Sequence, residues 1–430
     1  MFTLYSLLLY LLLPAVFLRL LIRGIRVPGY RDRMLERFGR FDSLGVEESI
    51  WIHTVSVGEA QAAEPMVRHL IDRYPGIPVV ITTTTPTGSD RVRKLFGGAV
   101  HHVYFPFDLP FAINGFLKRT NPRILVMMET EVWPNLLAIC KKNGIKTVLA
   151  NARLSERSAK GYSRLGSFAR RAFANIGMVA AQGPGDAERF LGLGVSRDRV
   201  RVTGSIKFDI KLPASLQEQA EVLRRDWSER PVWVAASTHE GEDEYVLAAH
   251  KMIQQHLPDA LLVLVPRHPE RFDRVATLAQ KAGFTVARRS AGGTCDASVD
   301  LFLGDTMGEL TLFLAASDVA FVGGSLVATG GHNVLEPAAL GVPVVFGPHM
   351  FNFALISSML LSENAAVQIA DEVQLAEVVT GWLGDASERA CVGENGRAVV
   401  ESNKGALERL MSVIEEQLED VVPAAGQGSR

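Results

Sequence analysis

The chain is poor in cysteine and lacks the motifs of several common enzyme classes. Its three cysteines, Cys140, Cys295 and Cys391, lie far apart and form no CxxC pair. We therefore expect neither a disulfide framework nor a zinc knuckle, and a reducing compartment fits best. No GxGxxG follows the first predicted strand, and no P-loop lysine pattern, HExxH or GxSxG is found. These absences argue against a dinucleotide-binding Rossmann site, a P-loop NTPase, a zinc protease and a serine hydrolase.

An excess of charge of one sign is also lacking. Lys and Arg total 45 against 47 Asp and Glu, so the formal net charge is -2 and gives no reason to expect a nucleic-acid partner. No Asp-x-Asp pair lies at the end of a predicted strand, where it could hold a divalent ion beside a phosphate. We predict a reaction that needs no metal and no other cofactor.

The chain does contain a long apolar segment at its N-terminus. Residues 1–18 carry no charged side chain, and the apolar run resumes for three residues after Arg19. Arginines stand at positions 19, 23, 26, 31 and 33, whereas a cleaved signal peptide has its basic residues before the apolar run. We therefore predict an uncleaved membrane anchor over residues 1–24, with the rest of the chain on the cytoplasmic side. A buried core helix is the alternative, and an anchor could either span the membrane or lie at its interface.

Beyond this segment, short β-branched runs alternate with amphipathic helical patterns. Predicted strands are 50–55, 79–83, 124–128, 147–150, 178–181, 200–203, 232–237, 261–266, 301–303, 319–322 and 342–346. This alternation predicts an α/β protein made of two Rossmann-like, doubly wound domains that face a cleft. We place the first domain at 25–209, a linker that includes a surface helix at 210–230, the second domain at 231–422 and a disordered tail at 423–430.

Four junctions after predicted strands share a small polar residue followed three positions later by glutamate. The pairs are Ser56 with Glu59, Ser237 with Glu240, Thr306 with Glu309, and Asn333 with Glu336. This is the spacing of a capping box, and each pair taken singly fits a structural cap. Ligands of parallel sheets bind beyond the carboxyl ends of strands, however, and adjacent glycines let backbone N–H groups approach a phosphate. From the residues alone, both interpretations stay open.

A series of motifs in one order along nearly the whole chain carries a family resemblance. The stretches in the first half are WIHTVSVGEAQA from Trp51, TTTTPTG from Thr82, YFPFDLP from Tyr104, METEVWPN from Met128, NARLSERS from Asn151 and VTGSIKFD from Val202. Those in the second half are ASTHEGE from Ala236, VPRHPERF from Val265, GDTMGEL from Gly304 and GGSLVATGGHNVLEPAALGVPV from Gly323. The chain resembles the bacterial 3-deoxy-D-manno-octulosonic acid (Kdo) transferases. The resemblance implies a GT-B architecture, with an acceptor domain followed by a nucleotide-sugar domain.

The resemblance also implies a reaction and the residues that perform it. We expect an inverting transfer of Kdo from CMP-Kdo to a lipid A precursor (lipid IVA) at the cytoplasmic face of the bacterial inner membrane, in lipopolysaccharide inner-core synthesis. Glu59 matches the catalytic base, and Glu129 and Lys207 match positions that stabilise the transition state. The positions that match the CMP-binding segments are Arg267, His268, Met307, Gly308, Glu309, Asn333, Val334, Leu335 and Glu336.

The residues themselves support part of this scheme. Glu59 lies just inside a predicted helix start, where the helix dipole should favour its ionised form and lower its basicity. Arg153 and Arg157 belong to a basic cluster that suits the phosphates of a lipid acceptor, although a solvated helix face explains it equally well. Two other functions stay open at this point. One is a GT-B enzyme that uses a UDP-sugar, and the other is a membrane-tethered nucleotide sensor without catalysis.

Overall fold

The computed structural model describes residues 2–228, 230–292 and 295–419, which form two compact α/β units. The first unit lies within residues 1–209 and 404–430, and the second within 210–403. The predicted disordered tail at 423–430 lies outside the described residues.

The first unit begins with a long helix, α1 (Phe2–Arg26), and continues as alternating strands and helices. The strands are β1 (Ser49–His53), β2 (Val79–Thr83), β3 (His101–Tyr104), β4 (Pro122–Met128), β5 (Lys146–Ala152), β6 (Met178–Ala181) and β7 (Val200–Val202). The helices between them are α2 (Val57–Ala62), α3 (Glu64–Arg73), α4 (Pro86–Phe96), α5 (Pro110–Thr120), α6 (Pro134–Lys142), α7 (Glu156–Ser163), α8 (Ser167–Phe173) and α9 (Pro184–Gly192). All seven strands are parallel, in the order β3-β2-β1-β4-β5-β6-β7.

Both faces of this sheet are covered, so its central strands are apolar on both sides. Ile50 and Ile52 of β1 face one hydrophobic cluster, whereas Trp51 between them faces the other. This alternation places successive side chains on opposite faces, as strand geometry requires. Residues 57–73 form two helices, α2 and α3, because Pro65 stands in the first turn of a new helix, α3.

The second unit repeats the same plan. Its strands are β8 (Val232–Thr238), β9 (Leu261–Pro266), β10 (Val286–Arg288), β11 (Leu301–Leu303), β12 (Val319–Val322), β13 (Val344–Phe346) and β14 (Ala366–Gln368). Its helices are α10 (Leu216–Asp226), α11 (Asp243–His256), α12 (Phe272–Lys281), α13 (Leu310–Ala315), α14 (Leu335–Leu340), α15 (Ala354–Ser362), α16 (Glu372–Gly384) and α17 (Ala386–Asn403). The strands are parallel, in the order β10-β11-β9-β8-β12-β13-β14. The prediction of two doubly wound α/β units is thus confirmed.

Two predicted domain limits differ from the structure. The helix expected within 210–230 is present as α10, but it belongs to the second unit and not to a linker, because Ala220, Leu223 and the following Trp227 are buried in the core of that unit. The last helix, α18 (Ala406–Glu419), belongs to the first unit, whereas the sequence placed it in the second. The buried residues Leu410 and Ile414 of α18 join the core of the first sheet, which accounts for its placement.

The N-terminal helix is the one described helix that is long and apolar enough to cross a membrane. This candidate span covers Thr3–Ile25. Length and composition make it a candidate membrane anchor.

Candidate active site

Glu59 lies at the start of α2, directly after β1, where local hydrogen bonds fix its carboxylate. Ser56 is the N-cap of α2, and its Oγ accepts a hydrogen bond from the Glu59 backbone N–H at 3.3 Å. Glu59 Oε2 accepts from the Val55 backbone N–H at 2.8 Å, and Oε1 accepts from Ser56 Oγ at 3.2 Å. The structural cap expected at this junction is therefore formed, and it orients the carboxylate that matches the catalytic base.

The surroundings of the Glu59 carboxyl also raise its pKa toward neutral pH. Burial raises its pKa from the ordinary 4.5 to about 7, and the negative charges of Glu129 and Glu131 add to the rise. The expectation that the helix dipole would lower the basicity of Glu59 is wrong, because desolvation outweighs the dipole of this six-residue helix. A pKa close to neutral pH is the value that suits a general base.

Glu129 follows β4 in a left-handed backbone conformation, with φ at +56°. Such a conformation costs on the order of 1–3 kcal/mol in a residue other than glycine. Glu129 Oε1 lies 3.6 Å from Lys207 Nζ, and Glu129 Oε2 lies 3.7 Å from Arg153 Nη2. The structure therefore brings three predicted site residues together in one charged cluster.

This cluster lies at the point of the sheet where ligands of doubly wound folds bind. β1 and β4 are adjacent strands at the centre of the sheet. The strands that follow β1 in the sequence, β2 and β3, lie on one side of this pair, and those that follow β4, namely β5, β6 and β7, lie on the other. Glu59 follows β1 and Glu129 follows β4, so both come from the carboxyl ends at the switch point of the sheet. Lys207, in the 3-10 helix Ile206–Phe208 after β7, reaches the same edge.

Asn151, near the end of β5, was not singled out from the sequence. Its φ is +51°, and its Oδ1 accepts a hydrogen bond from the buried Ile206 backbone N–H at 3.2 Å. This bond holds the segment that carries Lys207. The Asn151 Nδ2 is buried without a hydrogen-bond partner among the described residues, which is uncommon for an amide. A single asparagine within NARLSERS gives no periodic or spacing signal that could have revealed this role.

The two arginines expected to bind the acceptor have different surroundings. Arg153 follows β5 and is held near Glu129, with its side chain 39% exposed. Arg157 lies on α7 and is exposed. Arg153 thus belongs to the charged cluster, while Arg157 is available to a larger ligand.

In the second unit, imidazole and guanidinium groups gather after β8, β9 and β12. His239 and His332 stack with ring centroids 5.0 Å apart, and their Nε2 atoms are 2.8 Å apart. The exposed His268 meets His239 edge-on at 5.3 Å. Burial lowers the pKa of His332 to about 4, and burial likewise lowers that of His239, with the positive charge of Arg267 contributing in both cases. The stacked pair is therefore neutral at pH 7, and the adjoining Arg267 and His268 offer donors to an anion such as a phosphate.

Glu242 organises the loop after β12, and sequence reasoning missed it. Its side chain is fully buried and accepts hydrogen bonds from the backbone N–H groups of Gly324 at 2.6 Å, Ser325 at 3.0 Å and Leu326 at 2.9 Å. A fourth bond comes from the His239 backbone N–H at 2.8 Å. One carboxylate thus holds the turns that follow β8 and β12. The expected cap of Ser237 and Glu240 does not form, because α11 begins only at Asp243, after Glu242.

The segment Met307–Glu309 follows β11 and presents an open backbone. Gly308 has φ at +91°, a conformation that favours glycine, and no atom of the described residues lies within 4 Å of a Cβ placed there. Met307 is exposed, whereas Glu309 accepts hydrogen bonds from Arg289 and Thr306. The hydrogen bond from Arg289 lowers the pKa of Glu309, which is ionised at neutral pH. Thr306 bonds to the Glu309 side chain and does not cap α13.

The segment Asn333–Glu336 leads into α14. Asn333 Oδ1 accepts from the Leu335 backbone N–H at 3.0 Å, and Asn333 Nδ2 donates to Glu336 Oε1 at 2.9 Å. Val334 and Leu335 are fully buried core residues, so their side chains are not available to a ligand. Within this segment, Asn333 and Glu336 carry the polar groups that are partly accessible.

No metal site emerges from the residues that the structure describes. Among them, no three or more His, Cys, Asp or Glu side chains are grouped so that they could hold an ion. The independence from metal expected from the sequence remains a prediction.

Comparison with known proteins finds a matching family model and similar named relatives. A family model described as 3-Deoxy-D-manno-octulosonic-acid transferase (kdotransferase) matches residues 32–210. A 3-deoxy-D-manno-octulosonic acid transferase of Haemophilus influenzae is 40% identical over 419 residues, which cover 96% of this chain and 98% of the relative. A protein of the same name from Bordetella pertussis is 38% identical over 427 residues, covering 96% and 99%.

Comparison with a solved structure of low sequence identity concerns the fold only. The putative UDP-N-acetylglucosamine 2-epimerase from Listeria monocytogenes is similar with a TM-score of 0.55 at 14% identity, over 86% of this chain and 97% of that one. This likeness supports the GT-B type of architecture. The identity and coverage of the named relatives show more: the chain belongs to the 3-deoxy-D-manno-octulosonic acid transferase family and is a glycosyltransferase.

Proposed function

We propose that this enzyme transfers Kdo from CMP-Kdo to a lipid A precursor, lipid IVA, with inversion at the anomeric carbon. Membership of the family supports Kdo transfer in lipopolysaccharide biosynthesis. The family resemblance implies the acceptor and the stereochemistry, and the site described above supports the roles proposed for individual residues.

In the proposed step, a hydroxyl of the acceptor attacks the anomeric carbon of Kdo. The hydroxyl proton passes to the Glu59 carboxylate as the new carbon–oxygen bond forms. The bond between the anomeric carbon and the CMP phosphate oxygen breaks, and CMP leaves with that electron pair. A single base and direct displacement give inversion.

The observation that carries this proposal is the state of Glu59. It is a carboxylate at the sheet's switch point whose pKa burial raises to about 7. Such a group is ionised in a substantial fraction at neutral pH and still accepts a proton readily. Lys207 and Arg153, held against Glu129, supply positive charge at the same edge, where the reacting groups carry negative charge.

The second unit supplies the proposed nucleotide site. Arg267 and His268 would bind the phosphate of CMP, and the backbone at Gly308 is open to close approach by a ligand. Glu336, which is partly accessible, would accept hydrogen bonds from ribose hydroxyls. Met307, Glu309 and Asn333 would line this site, while Val334 and Leu335 would contribute only their backbone.

The acceptor is proposed to arrive from the cytoplasmic face of the inner membrane. The apolar helix α1 would anchor the enzyme there, with arginines at and beyond its end on the cytoplasmic side. Arg157, exposed on α7, would contact a phosphate of the lipid together with Arg153.

The test uses the purified full-length protein with CMP-Kdo and tetra-acylated lipid A precursor, and counts the added sugars by mass. We expect addition of Kdo with the natural protein and a loss of at least a hundredfold in kcat for Glu59→Gln, since general bases typically contribute about 10²–10⁴-fold. Arg157→Glu should raise the KM for the lipid without affecting the KM for CMP-Kdo.

The matched control for Arg157→Glu is Arg197→Glu, which changes a side chain that is 84% exposed in the same unit. Equal effects of the two substitutions on the lipid KM would argue against a contact with the acceptor. Transfer from UDP-sugars but not from CMP-Kdo, or full activity of Glu59→Gln, would refute the main proposal.

A further inference from the structure

Both ends of α1 are attached to the first unit. Near its N-terminal end, Tyr5 donates a hydrogen bond to Asp108 Oδ2 at 3.0 Å, and Ser6 donates to Asn135 Oδ1 at 3.1 Å. The Tyr5 ring also lies 5.4 Å from the ring of Phe168 in α8. Asp108 follows β3 and Asn135 lies in the first turn of α6, so this end of α1 rests at the carboxyl edge of the sheet.

The segment after α1 is fixed at the same edge. Arg33 donates hydrogen bonds to the backbone carbonyl of His102 in β3 at 2.6 Å and to Ser89 of α4 at 3.3 Å. Gly29 lies so close to Pro86 that an added Cβ would come within 2.9 Å of the proline ring. With 25 residues, α1 is about 37 Å long. A helix of this length that is held at both ends must run across the unit and cannot extend away from it.

The burial pattern along α1 agrees with this course. Among its described side chains, the less exposed ones lie on one side of the first and last parts of the helix, namely Tyr5, Ser6, Leu9, Leu13, Leu20, Leu21 and Gly24, and residues 14–19 between these parts are exposed. On the opposite side, the apolar residues between 56% and 72% exposed form a second stripe, namely Leu4, Leu7, Leu11, Leu18, Ile22 and Ile25. Arg19 and Arg23 are exposed on a flank between these two stripes. An apolar stripe with basic residues beside it is the pattern of a helix that lies at an anionic lipid surface.

A spanning helix is incompatible with these contacts. The hydrocarbon core of a bilayer is about 30 Å thick, so residue 5 of a spanning helix would lie near the far surface. Asp108 and Asn135, together with the ends of β3 and β4, would then have to lie across the membrane with it. Lipid-exposed polar loops and open sheet edges do not occur within the hydrocarbon core of a bilayer.

We propose that α1 lies in the plane of the membrane, with its Leu4–Ile25 stripe immersed in an anionic bilayer and its opposite face docked on the first unit. The helix enters only one leaflet, and no part of it crosses to the other side of the membrane. The bilayer then faces the edge of the sheet that carries Glu59 and Glu129. This inference rests on the proposed membrane association, but it does not depend on which sugar donor or acceptor the enzyme uses.

Sidedness is the first test. An epitope tag followed by a specific protease site is placed before α1 in the full-length chain, and inner-membrane vesicles of both orientations are treated with the protease. We expect cleavage in inside-out vesicles, where the cytoplasmic face is exposed. Cleavage confined to right-side-out vesicles overturns the proposal, because it places the N-terminus in the periplasm. Measuring Kdo transfer in the same vesicles separates this result from a failure of the proposed function.

A matched pair of substitutions gives the second test. Leu11 and Leu12 are adjacent, so in a spanning helix they have nearly the same depth, whereas in the plane they point about 100° apart. Leu11 lies in the exposed stripe. Leu12 is seven residues before Arg19 and eleven before Arg23, close to whole numbers of helical turns, so it lies on the same flank as these two arginines. For vesicles of phosphatidylethanolamine and phosphatidylglycerol, we expect Leu11→Lys to weaken binding at least tenfold and Leu12→Lys less than threefold. Equal losses of binding, or a larger loss for Leu12→Lys, overturn the in-plane orientation. An assay of Kdo transfer in detergent solution checks that both variants fold.

Discussion

Replacing Glu59 by glutamine is expected to stabilise the first unit above neutral pH, while it lowers the kcat of transfer at least a hundredfold. The folded protein favours the protonated form of Glu59, because burial raises its pKa from 4.5 to about 7. A raised carboxyl pKa means that stability is lost as the pH increases from the unfolded value to the folded one. Above pH 7 the ionised carboxylate therefore destabilises the fold, by about 3 kcal/mol at pH 8 and by less than about 1 kcal/mol at pH 5.

Glutamine removes this charge and keeps an oxygen that can accept from the Val55 backbone N–H. Loss of the charge-assisted part of that bond offsets some of the gain, so we expect a net stabilisation of roughly 1–3 kcal/mol at pH 8. Hydrogen exchange of the peptides that cover β1 and α2 measures the opening free energy of this unit in native and variant protein at both pH values.

The matched control is Glu156→Gln, which changes a side chain that is 73% exposed in the first turn of α7. Its effect should stay within about 0.5 kcal/mol at either pH. The reasoning is refuted if Glu59→Gln is no more stable than the natural protein at pH 8, or if its gain is as large at pH 5.

Three further outcomes follow from the two sites. Because Glu59 must be ionised to act as a base, kcat/KM for transfer should rise about tenfold per pH unit up to about pH 7. Glu131→Gln removes a charge that raises the pKa of Glu59, so it should move this rising part of the pH profile to lower pH. A pH profile that Glu131→Gln leaves unchanged would contradict the assignment. Glu242→Gln should destabilise the second unit by about 2–3 kcal/mol in urea unfolding, because its amide N–H₂ opposes backbone N–H donors, whereas the exposed Glu240→Gln should have little effect. Exhaustive chelation should leave transfer unchanged, and restoration of lost activity by added metal would show that a metal is required.

The sequence predicted the interior of each sheet better than its margins. Central strands such as β1 and β9 are buried on both faces and therefore appear as continuous apolar runs. The three strands that were missed, β3, β10 and β14, all lie at sheet edges and have partly exposed residues. Such short segments carry too few apolar side chains to differ from loops.

The candidate sites show a similar limit. Glu59 and Glu129 were found through motifs, and their position after adjacent strands follows from the parallel sheet. The raised pKa of Glu59 depends on burial and on charges that approach from a different strand, which no local pattern records. Glu242 was missed because its four backbone partners come from segments that folding brings together, including residues more than 80 positions away.

The return of α18 to the first unit affects how the chain can fold during synthesis. Asp209 accepts hydrogen bonds from the backbone N–H groups of Gly405 and Leu407, and α18 then fills one face of the first sheet with Leu410 and Ile414. The ribosome must therefore translate the entire second unit before the first unit receives its last core helix. A stalled or nicked chain that ends near residue 403 would leave this apolar sheet face uncovered, even though Glu59 and the charged cluster of Glu129, Arg153 and Lys207 are all present.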